Sequence, residues 1–404
     1  MRIAIFSDNF YPELSGISDS IIITAKELAA HGHFIHFYVP KYPPEDFKLL
    51  GLPESEINLG KNIEITRLAS FAYRTGSGQG RALILTGLRW LAVKKFNPDV
   101  IHVHLPFGAG IEGLIAAKIL KKPLVGTNHT PMREFVRYSP IKLKNLDNLL
   151  LNYTVWFYNR CDFMSSPAHA VVDEMTASGF KKPFTVVSNP IDTSEFYPAQ
   201  RTEKKLLKKK YGFSNFTVFY NGRLAEEKRI DLMIYAVKKL IKQIPDINYV
   251  IAGRGPDETR LKQLAAKLGV SKNVKIIGFI GSIIDLKEFA EIYNATDVFA
   301  ILSTAETQSV AAMRAMACGI PVIASKIWGL AEYVNEENGI PIERSDEDTL
   351  PDHVLHLFKN PALRKKLGKN GEEFVKKFSP EQIAKIWEDI YDKTIRQYAE
   401  KRGI

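Results

Sequence analysis

Short runs of consecutive apolar residues alternate along the chain with stretches whose apolar residues recur every three or four positions. The run at 298–302 (VFAIL) has the length of a buried strand, whereas Ile230, Met233 and Val237 follow helical spacing. Strands that are apolar throughout and separated by helices are typical of parallel sheets covered on both faces. The predicted strands are 2–6, 34–39, 63–68, 100–103, 123–126, 163–166, 184–187, 216–220, 248–252, 274–277, 298–302 and 322–324, and the predicted helices are 21–30, 81–96, 113–120, 135–158, 230–241, 257–268, 286–293, 311–317 and 379 to about 401.

This alternation forms two series of similar size. Residues 188–192 (SNPID) separate them and, with their Asn and Pro, are predicted to be a hinge. We therefore expect an α/β protein with a first domain over residues 1–187 and a second over residues 188–384, each built on a doubly wound sheet. The glycine-rich segment 75–80 is predicted to be a mobile loop.

Composition agrees with two domains, because a chain of 404 residues that is 45% hydrophobic is too long for one ordinary core. The formal charge of +10 favours an anionic partner such as a nucleotide, a nucleic acid or a lipid head group. The opening MRIAIF is typical of a strand rather than a signal peptide, and no apolar run approaches the roughly 18 residues of a membrane span. We expect a soluble, cytoplasmic protein. Cys161 and Cys318 are far apart, so neither a disulfide framework nor a metal site is expected.

Two glycine-containing segments of the second domain each follow a predicted strand and precede a helix. In 222–228 (GRLAEEK), glycine permits close backbone approach, and Arg223 and Lys228 can converge on a diphosphate. The alternative there is a helix start with solvated charges. In 253–256 (GRGP), Gly253 begins half of a dinucleotide fingerprint that lacks its third glycine, so a tight turn is favoured over an NAD site.

Glu306 and His129 are candidate site residues because each lies at the end of a predicted strand. Open α/β sheets bind ligands at such strand ends, although a single surface acid in a buried βαβ unit is the alternative for Glu306. His129 can hydrogen-bond a reacting hydroxyl, or it can have only a structural role. His102 and His104 share one face of a strand with no third ligand nearby, so a metal site is not predicted.

Residues 135–158 combine Arg137, Lys142 and Lys144 with leucines and aromatic residues. A basic, aromatic, amphipathic helix can lie at a lipid surface. The alternative is a helix that covers the sheet, which we favour for the C-terminal half of this segment.

Taken in order, these segments resemble the retaining, nucleotide-sugar-dependent glycosyltransferases of the GT-B fold, of the family 4 type. The resemblance implies an α/β, GT-B architecture of two Rossmann-like domains that face across a cleft, with the closing helix, about 385–404, packed back on the first domain. The resemblance covers nearly the whole chain. By comparison, the sequence gives little support for an NAD oxidoreductase. The segments that carry the resemblance are 12–16, 99–104, 127–130, 188–192, 222–228, 252–256, 306–322, 338–340 and the closing helix.

By that resemblance, Arg223 and Lys228 hold the donor diphosphate, Glu306 contacts hydroxyls of the transferred sugar, and His129 lies beside the reacting carbon. His129 and Glu306 are thus the implied catalytic residues. Because Arg223 and Lys228 neutralise the developing charge, neither a metal nor another cofactor is expected beside the UDP-sugar co-substrate. The other implied donor-binding residues are Gly16, Gly253, Phe279, Ile280, Thr307, Gln308, Ser309, Val310 and Arg314.

Within the family, His129-Thr130 followed by Glu134, Phe135 and Tyr138 is most similar to the glycosyldiacylglycerol synthases. These enzymes transfer glucose or galactose to a membrane lipid from the cytoplasmic side. The resemblance therefore implies a UDP-sugar donor, a lipid acceptor such as diacylglycerol and peripheral contact with an anionic membrane on its inner face, with no nucleic acid partner. The same chemistry on a soluble sugar or polysaccharide acceptor is the alternative.

Two positions depart from the family's pattern. The family's second acid, eight residues after Glu306, is replaced by Arg314, which can only donate to ribose oxygens or pair with Glu306 or a phosphate. The glycine expected three residues after Glu306 is Ser309, which could crowd a backbone contact with the sugar. Loss of a buried ribose contact costs about 1–3 kcal/mol. A degenerate GT-B protein that binds a nucleotide or a partner without turnover is therefore a further alternative.

Overall fold

The computed structural model describes residues 1–13, 15–49, 52–72, 81–132, 145–279 and 286–403. The chain forms two compact units. The first unit is Met1–Pro190 together with Pro380–Ile404, and the second is Ile191–Ser379. The sequence places the corresponding boundaries at 187 and at about 384.

The described residues form a long series of alternating strands and helices. The strands are β1 (Arg2–Ser7), β2 (Phe34–Pro40), β3 (Ile63–Leu68), β4 (Ser70–Ala72), β5 (Arg81–Leu83), β6 (Val100–His104), β7 (Leu124–Thr127), β8 (Phe163–Ser166), β9 (Phe184–Val186), β10 (Thr217–Asn221), β11 (Asn248–Ala252), β12 (Val274–Gly278), β13 (Val298–Ile301), β14 (Val322–Ser325) and β15 (Gly339–Ile342). The α-helices are α1 (Gly16–Ala30), α2 (Pro44–Leu49), α3 (Trp90–Phe96), α4 (Gly108–Leu120), α5 (Leu146–Tyr158), α6 (His169–Ala177), α7 (Arg201–Tyr211), α8 (Ile230–Leu240), α9 (Glu258–Lys267), α10 (Leu286–Asn294), α11 (Val310–Ala317), α12 (Leu330–Tyr333), α13 (Leu350–Lys359), α14 (Pro361–Val375) and α15 (Pro380–Arg402).

The first unit is built on a parallel sheet in the order β3-β2-β1-β6-β7-β8-β9. Every residue of β6 is buried, because helices cover both faces of a parallel sheet. Residues such as Phe6, Val103 and Phe157 form its core. The closing helix α15 belongs to this unit, where it packs against α1.

The second unit is built on a parallel sheet in the order β12-β11-β10-β13-β14-β15. Its central strands β10 and β13 are neighbours, with Val218 opposite Val298 and Phe219 opposite Phe299. Because parallel strands end at the same edge of a sheet, the loops after β10, β11 and β13 come together there. The predicted strands and most of the predicted helices are confirmed, with ends that differ by a few residues.

The prediction of a helix over residues 81–96 is wrong for the first half of that range. Residues 81–83 form β5, which pairs in antiparallel fashion with β4, and a helix begins only at Trp90. In between, the backbone N–H groups of Thr86 and Gly87 donate to the buried Glu112 carboxylate, at 2.5 and 2.9 Å. Gly87 has φ of +66°, which a helix cannot accommodate. These bonds hold the chain in a turn where the apolar spacing predicts a helix.

Of the segment 135–158, the structure describes residues 145–158, and Leu146–Tyr158 form helix α5. Leu151, Val155 and Phe157 of this helix are buried against the first unit's core, so its C-terminal half covers the sheet, as predicted. Residues 133–144 and the predicted loop 75–80 lie outside the described residues. In the part of the chain that is described, no helix is long and apolar enough to cross a bilayer.

Candidate active site

The loops that follow β10 and β11 in the second unit pack backbone against backbone. The Gly222 N–H donates to the Ala252 carbonyl at 3.0 Å. A Cβ atom on Gly253 would lie 1.9 Å from the Gly222 carbonyl oxygen, and one on Gly255 would lie 2.1 Å from that of Leu224. Loop packing therefore requires both glycines of the GRGP segment. This is the tight turn that the sequence favours over an NAD site.

Arg223 and Lys228 each pair with a carboxylate at this edge of the sheet. Lys228 Nζ lies 2.5 Å from Glu306 Oε1, and both side chains are largely buried. Arg223 pairs with Glu227, whose side chain is 7% exposed while that of Arg223 is 38% exposed. The buried Glu227 carboxylate therefore positions the Arg223 guanidinium, part of which stays exposed to solvent. A guanidinium held in this way can bind an anion.

Glu227 is a residue of this cluster that the sequence analysis did not single out. Its carbonyl oxygen accepts hydrogen bonds from Thr304 N at 2.8 Å and from Ser303 Oγ at 3.2 Å, so it joins the loop after β13 to the loop after β10. Its spacing of four residues from Arg223 is a weak signal in the sequence, because Arg223 lies in the loop before the short 3₁₀ helix Glu226–Lys228 and not on a helix.

Thr307, Gln308, Ser309 and Val310 lie at the start of α11. Ser309 has φ of +59°, the left-handed region in which glycine carries no strain. Its hydroxyl accepts a hydrogen bond from Ala312 N at 3.3 Å and so caps the helix. The backbone N–H groups of such a helix start can bind anionic or hydroxylated ligands.

Arg314 lies in α11 and is only 6% exposed. Its guanidinium carbon is 5.0 Å from the centre of the Phe196 ring and 5.2 Å from that of Phe289. These distances are typical of cation–π contacts. The side chain is therefore packed among aromatic rings in the second unit, while the Glu306 carboxylate is paired with Lys228. Its contact with a ribose stays a prediction.

Two further donor-binding predictions, Phe279 and Gly16, lie at the ends of elements. Phe279 directly follows β12 and Gly278, and Ile280 lies outside the described residues. In the first unit, Gly16 is the first residue of α1, where the Ser15 hydroxyl accepts from Ser18 N at 3.1 Å. The structure places Gly16 at an exposed helix start, a position open to a ligand.

The first unit brings three histidines together at the ends of β6 and β7. His104 Nδ1 lies 2.9 Å from His129 Nε2, and the rings of His102 and His104 are 4.1 Å apart between centroids. His102 Nε2 lies 2.7 Å from the Thr127 hydroxyl, and its Nδ1 lies 2.7 Å from the Tyr391 hydroxyl of α15. The sequence predicted a shared face for two of these rings but not the third ring beside them.

Burial keeps all three rings neutral at physiological pH. It lowers the pKa of His102 and of His129 to about 3, and it lowers that of His104 well below the usual value. A neutral imidazole has one donor nitrogen and one acceptor nitrogen, so one ring of the His104–His129 pair donates and the other accepts. His129 can therefore act as a neutral hydrogen-bonding group, and not as a cation.

A small cavity with a mainly apolar lining adjoins these rings. Its volume is about 20 Å³, room for about one water molecule, and its lining includes Ser20, Thr24 and Asn189. Over the described residues, no three His, Cys, Asp or Glu side chains are placed to hold a metal ion.

Two buried carboxyl groups follow β1, and the sequence analysis did not identify either as a candidate. Both oxygens of Asp8 lie 3.0 Å from Ala109 N, at the start of α4. Glu13 accepts hydrogen bonds from Asn9 Nδ2 at 2.7 Å and from the Tyr42 hydroxyl at 3.1 Å. Burial raises the pKa of each carboxyl to about 7.

Known protein families match both halves of the chain. The family described as Glycosyltransferase Family 4 matches residues 14–195, and the family described as Glycosyl transferases group 1 matches residues 203–374. An alpha-monoglucosyldiacylglycerol synthase of Acholeplasma laidlawii is 28% identical over 405 residues, which cover 97% of this chain and 96% of the relative. A protein of the same name from Streptococcus pneumoniae is 28% identical over 80% of this chain and 71% of its own.

Solved structures share the fold. The crystal structure of Anabaena HepE in complex with UDP and glucose matches with a TM-score of 0.76 at 20% identity, over 97% of this chain and 99% of that chain. Both units carry the parallel, Rossmann-like sheet that the resemblance implies. With one family matched in each half and the fold matched throughout, the chain belongs to the GT-B glycosyltransferases.

Proposed function

We propose that this glycosyltransferase moves a hexose, glucose or galactose, from a UDP-sugar to a membrane lipid such as diacylglycerol, with retention of configuration at the sugar's anomeric carbon. The acceptor assignment draws on the resemblance to glycosyldiacylglycerol synthases and on the exposed apolar surface described below. We place the enzyme in the cytoplasm, in peripheral contact with the inner face of the cell membrane.

The donor chemistry rests on the paired charges after β10 and β13. In the proposed reaction Arg223 and Lys228 bind the donor diphosphate, and Glu306 binds hydroxyls of the sugar. The bond between the anomeric carbon and the diphosphate oxygen breaks, and the electron pair leaves with UDP. The acceptor oxygen bonds to the same face of that carbon, and its proton passes to the leaving phosphate. The neutral His129 ring lies beside the reacting carbon and hydrogen-bonds a reacting hydroxyl group. No metal takes part in the proposed reaction.

The main support for a lipid acceptor is a group of exposed apolar side chains in the first unit. Four large side chains within residues 84–91 are about half exposed or more: Ile84 at 45%, Leu85 at 56%, Leu88 at 60% and Leu91 at 55%. Phe71 of β4, whose strand pairs with β5, is 54% exposed. Such a concentration of exposed apolar side chains is unusual for a surface that meets only water.

Basic residues stand close to this group. Lys94 and Lys95, in the last turn of α3, are exposed beside it in sequence. Apolar side chains that enter the interface, with lysines that meet anionic head groups, are the combination found on proteins that lie on a bilayer. We therefore assign the membrane contact to Phe71 and residues 84–95 of the first unit, in addition to the N-terminal half of the segment 135–158 considered from the sequence.

The reaction is tested by measuring released nucleotide with UDP-glucose, UDP-galactose and GDP-mannose, each with and without diacylglycerol in vesicles or detergent micelles. We expect UDP release that depends on diacylglycerol, and an α-linked product by NMR from the α-linked donor. Release with a soluble sugar but not with diacylglycerol would indicate the soluble-acceptor alternative. Calorimetric UDP binding without release from any donor would indicate the degenerate alternative.

The apolar surface is tested with the double variant Leu85→Ser, Leu88→Ser. Loss of two exposed leucines should lower activity on diacylglycerol in vesicles about tenfold or more, because the enzyme leaves the bilayer. Activity on a detergent-dispersed acceptor should change little. The control is Ile119→Ser on α4, which removes a side chain that is 47% exposed elsewhere on the same unit. Equal losses for both variants would contradict the assignment.

A further inference from the structure

Helix α7 of the second unit is the most basic segment of the chain, and the proposed chemistry does not use it. Its eleven residues, RTEKKLLKKKY, contain Glu203 as the only acid. The helix ends at Gly212, whose φ of +63° is the usual stop for a helix. It is therefore a well-formed surface helix with a large excess of positive charge.

One face of α7 docks on the second unit. Leu207 is buried, and Lys204 and Lys208 both reach the Asp297 carboxylate. Lys210 pairs with Glu291, and the Tyr211 hydroxyl donates to the same carboxylate at 2.6 Å. The charges on this side are thus matched by acids of the unit itself.

The opposite face is turned to solvent and its charge is not matched. At about 100° per residue, Lys205 and Lys209 lie about 160° around the helix from Leu207, and Leu206 lies about 100° from it, beside Lys209. Within the described residues, neither Lys205 nor Lys209 has a carboxylate within 4.0 Å, and both are exposed. Leu206 is 68% exposed, so a large apolar side chain lies beside these two lysines on the outer part of the helix.

We propose that this outer face of α7, made by Arg201, Lys205, Leu206 and Lys209, binds an anionic lipid bilayer. Leu206 enters the head-group region, and the three cations contact lipid phosphates. Charge complementarity and the exposed leucine together favour a bilayer over a nucleic acid, because phosphates alone would give no use for the apolar side chain. The proposal goes beyond the proposed function: it gives the second unit a lipid contact of its own, whatever the acceptor.

The test is co-sedimentation of the full chain with vesicles of phosphatidylcholine that contain about 30% phosphatidylglycerol. Since each well-placed basic residue contributes about a fivefold factor to partitioning, Lys205→Gln with Lys209→Gln should lower the partition coefficient about 30-fold. Leu206→Ser should lower it several-fold. Gln preserves helix propensity, so the helix should stay folded, as circular dichroism can verify.

The matched control is Lys238→Gln with Lys239→Gln, two exposed lysines of α8. It removes the same charge from another helix of the same unit and should change partitioning less than about threefold. Equal losses for both pairs would mean that net charge alone drives binding, and would overturn the proposal. Unchanged vesicle binding by the Leu206→Ser protein would also overturn the proposal. So would displacement of the wild-type protein from the vesicles by a DNA duplex added at the same phosphate concentration as the lipid.

A separate readout distinguishes this inference from the proposed function. UDP release with a detergent-dispersed acceptor should be the same for the α7 variants and the wild type, because the helix contributes no residue to the donor cluster. If the wild type releases no UDP from any donor, the proposed function fails, yet the vesicle measurements still decide whether α7 binds lipid. If vesicle binding is insensitive to α7 while transfer proceeds, only this inference fails.

Discussion

Lys228 and Glu306 meet across two loops because β10 and β13 are adjacent parallel strands. If Lys228 neutralises the leaving diphosphate, Lys228→Gln should lower kcat/KM for UDP release about 10²- to 10³-fold, the usual loss when one such stabilising group is removed. Lys242→Gln, which removes an exposed lysine after α8, should leave kcat/KM unchanged. A Lys228→Gln enzyme within threefold of the wild type would exclude the assigned role.

The packing of Arg314 between aromatic rings gives a second prediction for a single residue. Arg314→Glu should destabilise the second unit by about 3 kcal/mol, because it places a carboxylate against the Phe196 and Phe289 rings. Arg314→Met keeps an unbranched side chain against both rings and should cost only about 1 kcal/mol. Urea unfolding measures both losses. A stable Arg314→Glu protein with tighter UDP binding would instead show that an acid at this position serves the ribose.

Sequence reasoning reaches some of these residues and not others for a physical reason. Arg223, Lys228 and Glu306 can be found because each follows a short apolar run that predicts a strand, and strand ends of one parallel sheet share an edge. The surroundings of Arg314 cannot be found in this way, because the rings of Phe196 and Phe289 come from distant parts of the chain.

Ser309 shows a different limit of sequence reasoning. The sequence identifies it as a departure from glycine, but the structure shows what makes the departure tolerable. Its left-handed backbone costs about 1 kcal/mol, and the cap to Ala312 N offsets a similar amount.

At the scale of elements, the strands were predictable because parallel strands buried on both faces are apolar throughout. All five residues of β11 are buried, as its sequence NYVIA suggests. The failure at 81–96 has the opposite cause. Ile84, Leu85, Leu88 and Leu91 are exposed, so their spacing does not mark a buried helix face, and a rule that assigns apolar residues to the core misplaces them.

The packing of α11 against α14 gives a prediction at this scale. A Cβ on Gly368 would lie 2.0 Å from the Gly319 carbonyl oxygen, whereas one on Gly371 would lie 3.2 Å from Cβ and Cγ of Met316. Gly368→Ala must therefore move backbone and should destabilise the second unit by about 2–3 kcal/mol. Gly371→Ala on the same helix should change the free energy of unfolding by less than about 1 kcal/mol, since a shift of a few tenths of an ångström relieves this longer contact. Thermal unfolding of the two variants compares them directly, and similar melting temperatures would contradict the close packing.

At the scale of the whole molecule, the repeated alternation of strands and helices was enough to predict two α/β units. The place of α15 depends on a contact that no local pattern reveals, the 2.7 Å approach of the Tyr391 hydroxyl to His102. The chain leaves the first unit at Pro190 and returns to it at Pro380. The first unit therefore depends on both ends of the sequence, and its buried histidines and carboxyls make its stability depend on pH.

The histidines and the carboxyls act on that stability in opposite directions. His102 and His129 have a folded pKa near 3, against about 6.5 when unfolded, so the unfolded chain binds more protons between these values and stability falls as pH drops through 6.5. Asp8 and Glu13 have a folded pKa of about 7, against about 4 when unfolded. The folded state then binds more protons between pH 4 and 7, and stability falls as pH rises through that range.

The double variant Asp8→Asn, Glu13→Gln isolates the carboxyl contribution, because both amides keep an acceptor oxygen and cannot ionise. Its free energy of unfolding should match that of the wild type near pH 4.5 and exceed it at pH 8 by at least about 1.4 kcal/mol, the equivalent of one pKa unit. Urea unfolding from pH 4.5 to 8, followed by tryptophan fluorescence, measures the difference. Trp387 reports on this unit, since its ring lies 4.6 Å from that of His102. A difference that stays constant across this range would mean that neither carboxyl is protonated in the folded state at pH 6, and that their hydrogen bonds to Ala109, Asn9 and Tyr42 stabilise the ionised forms.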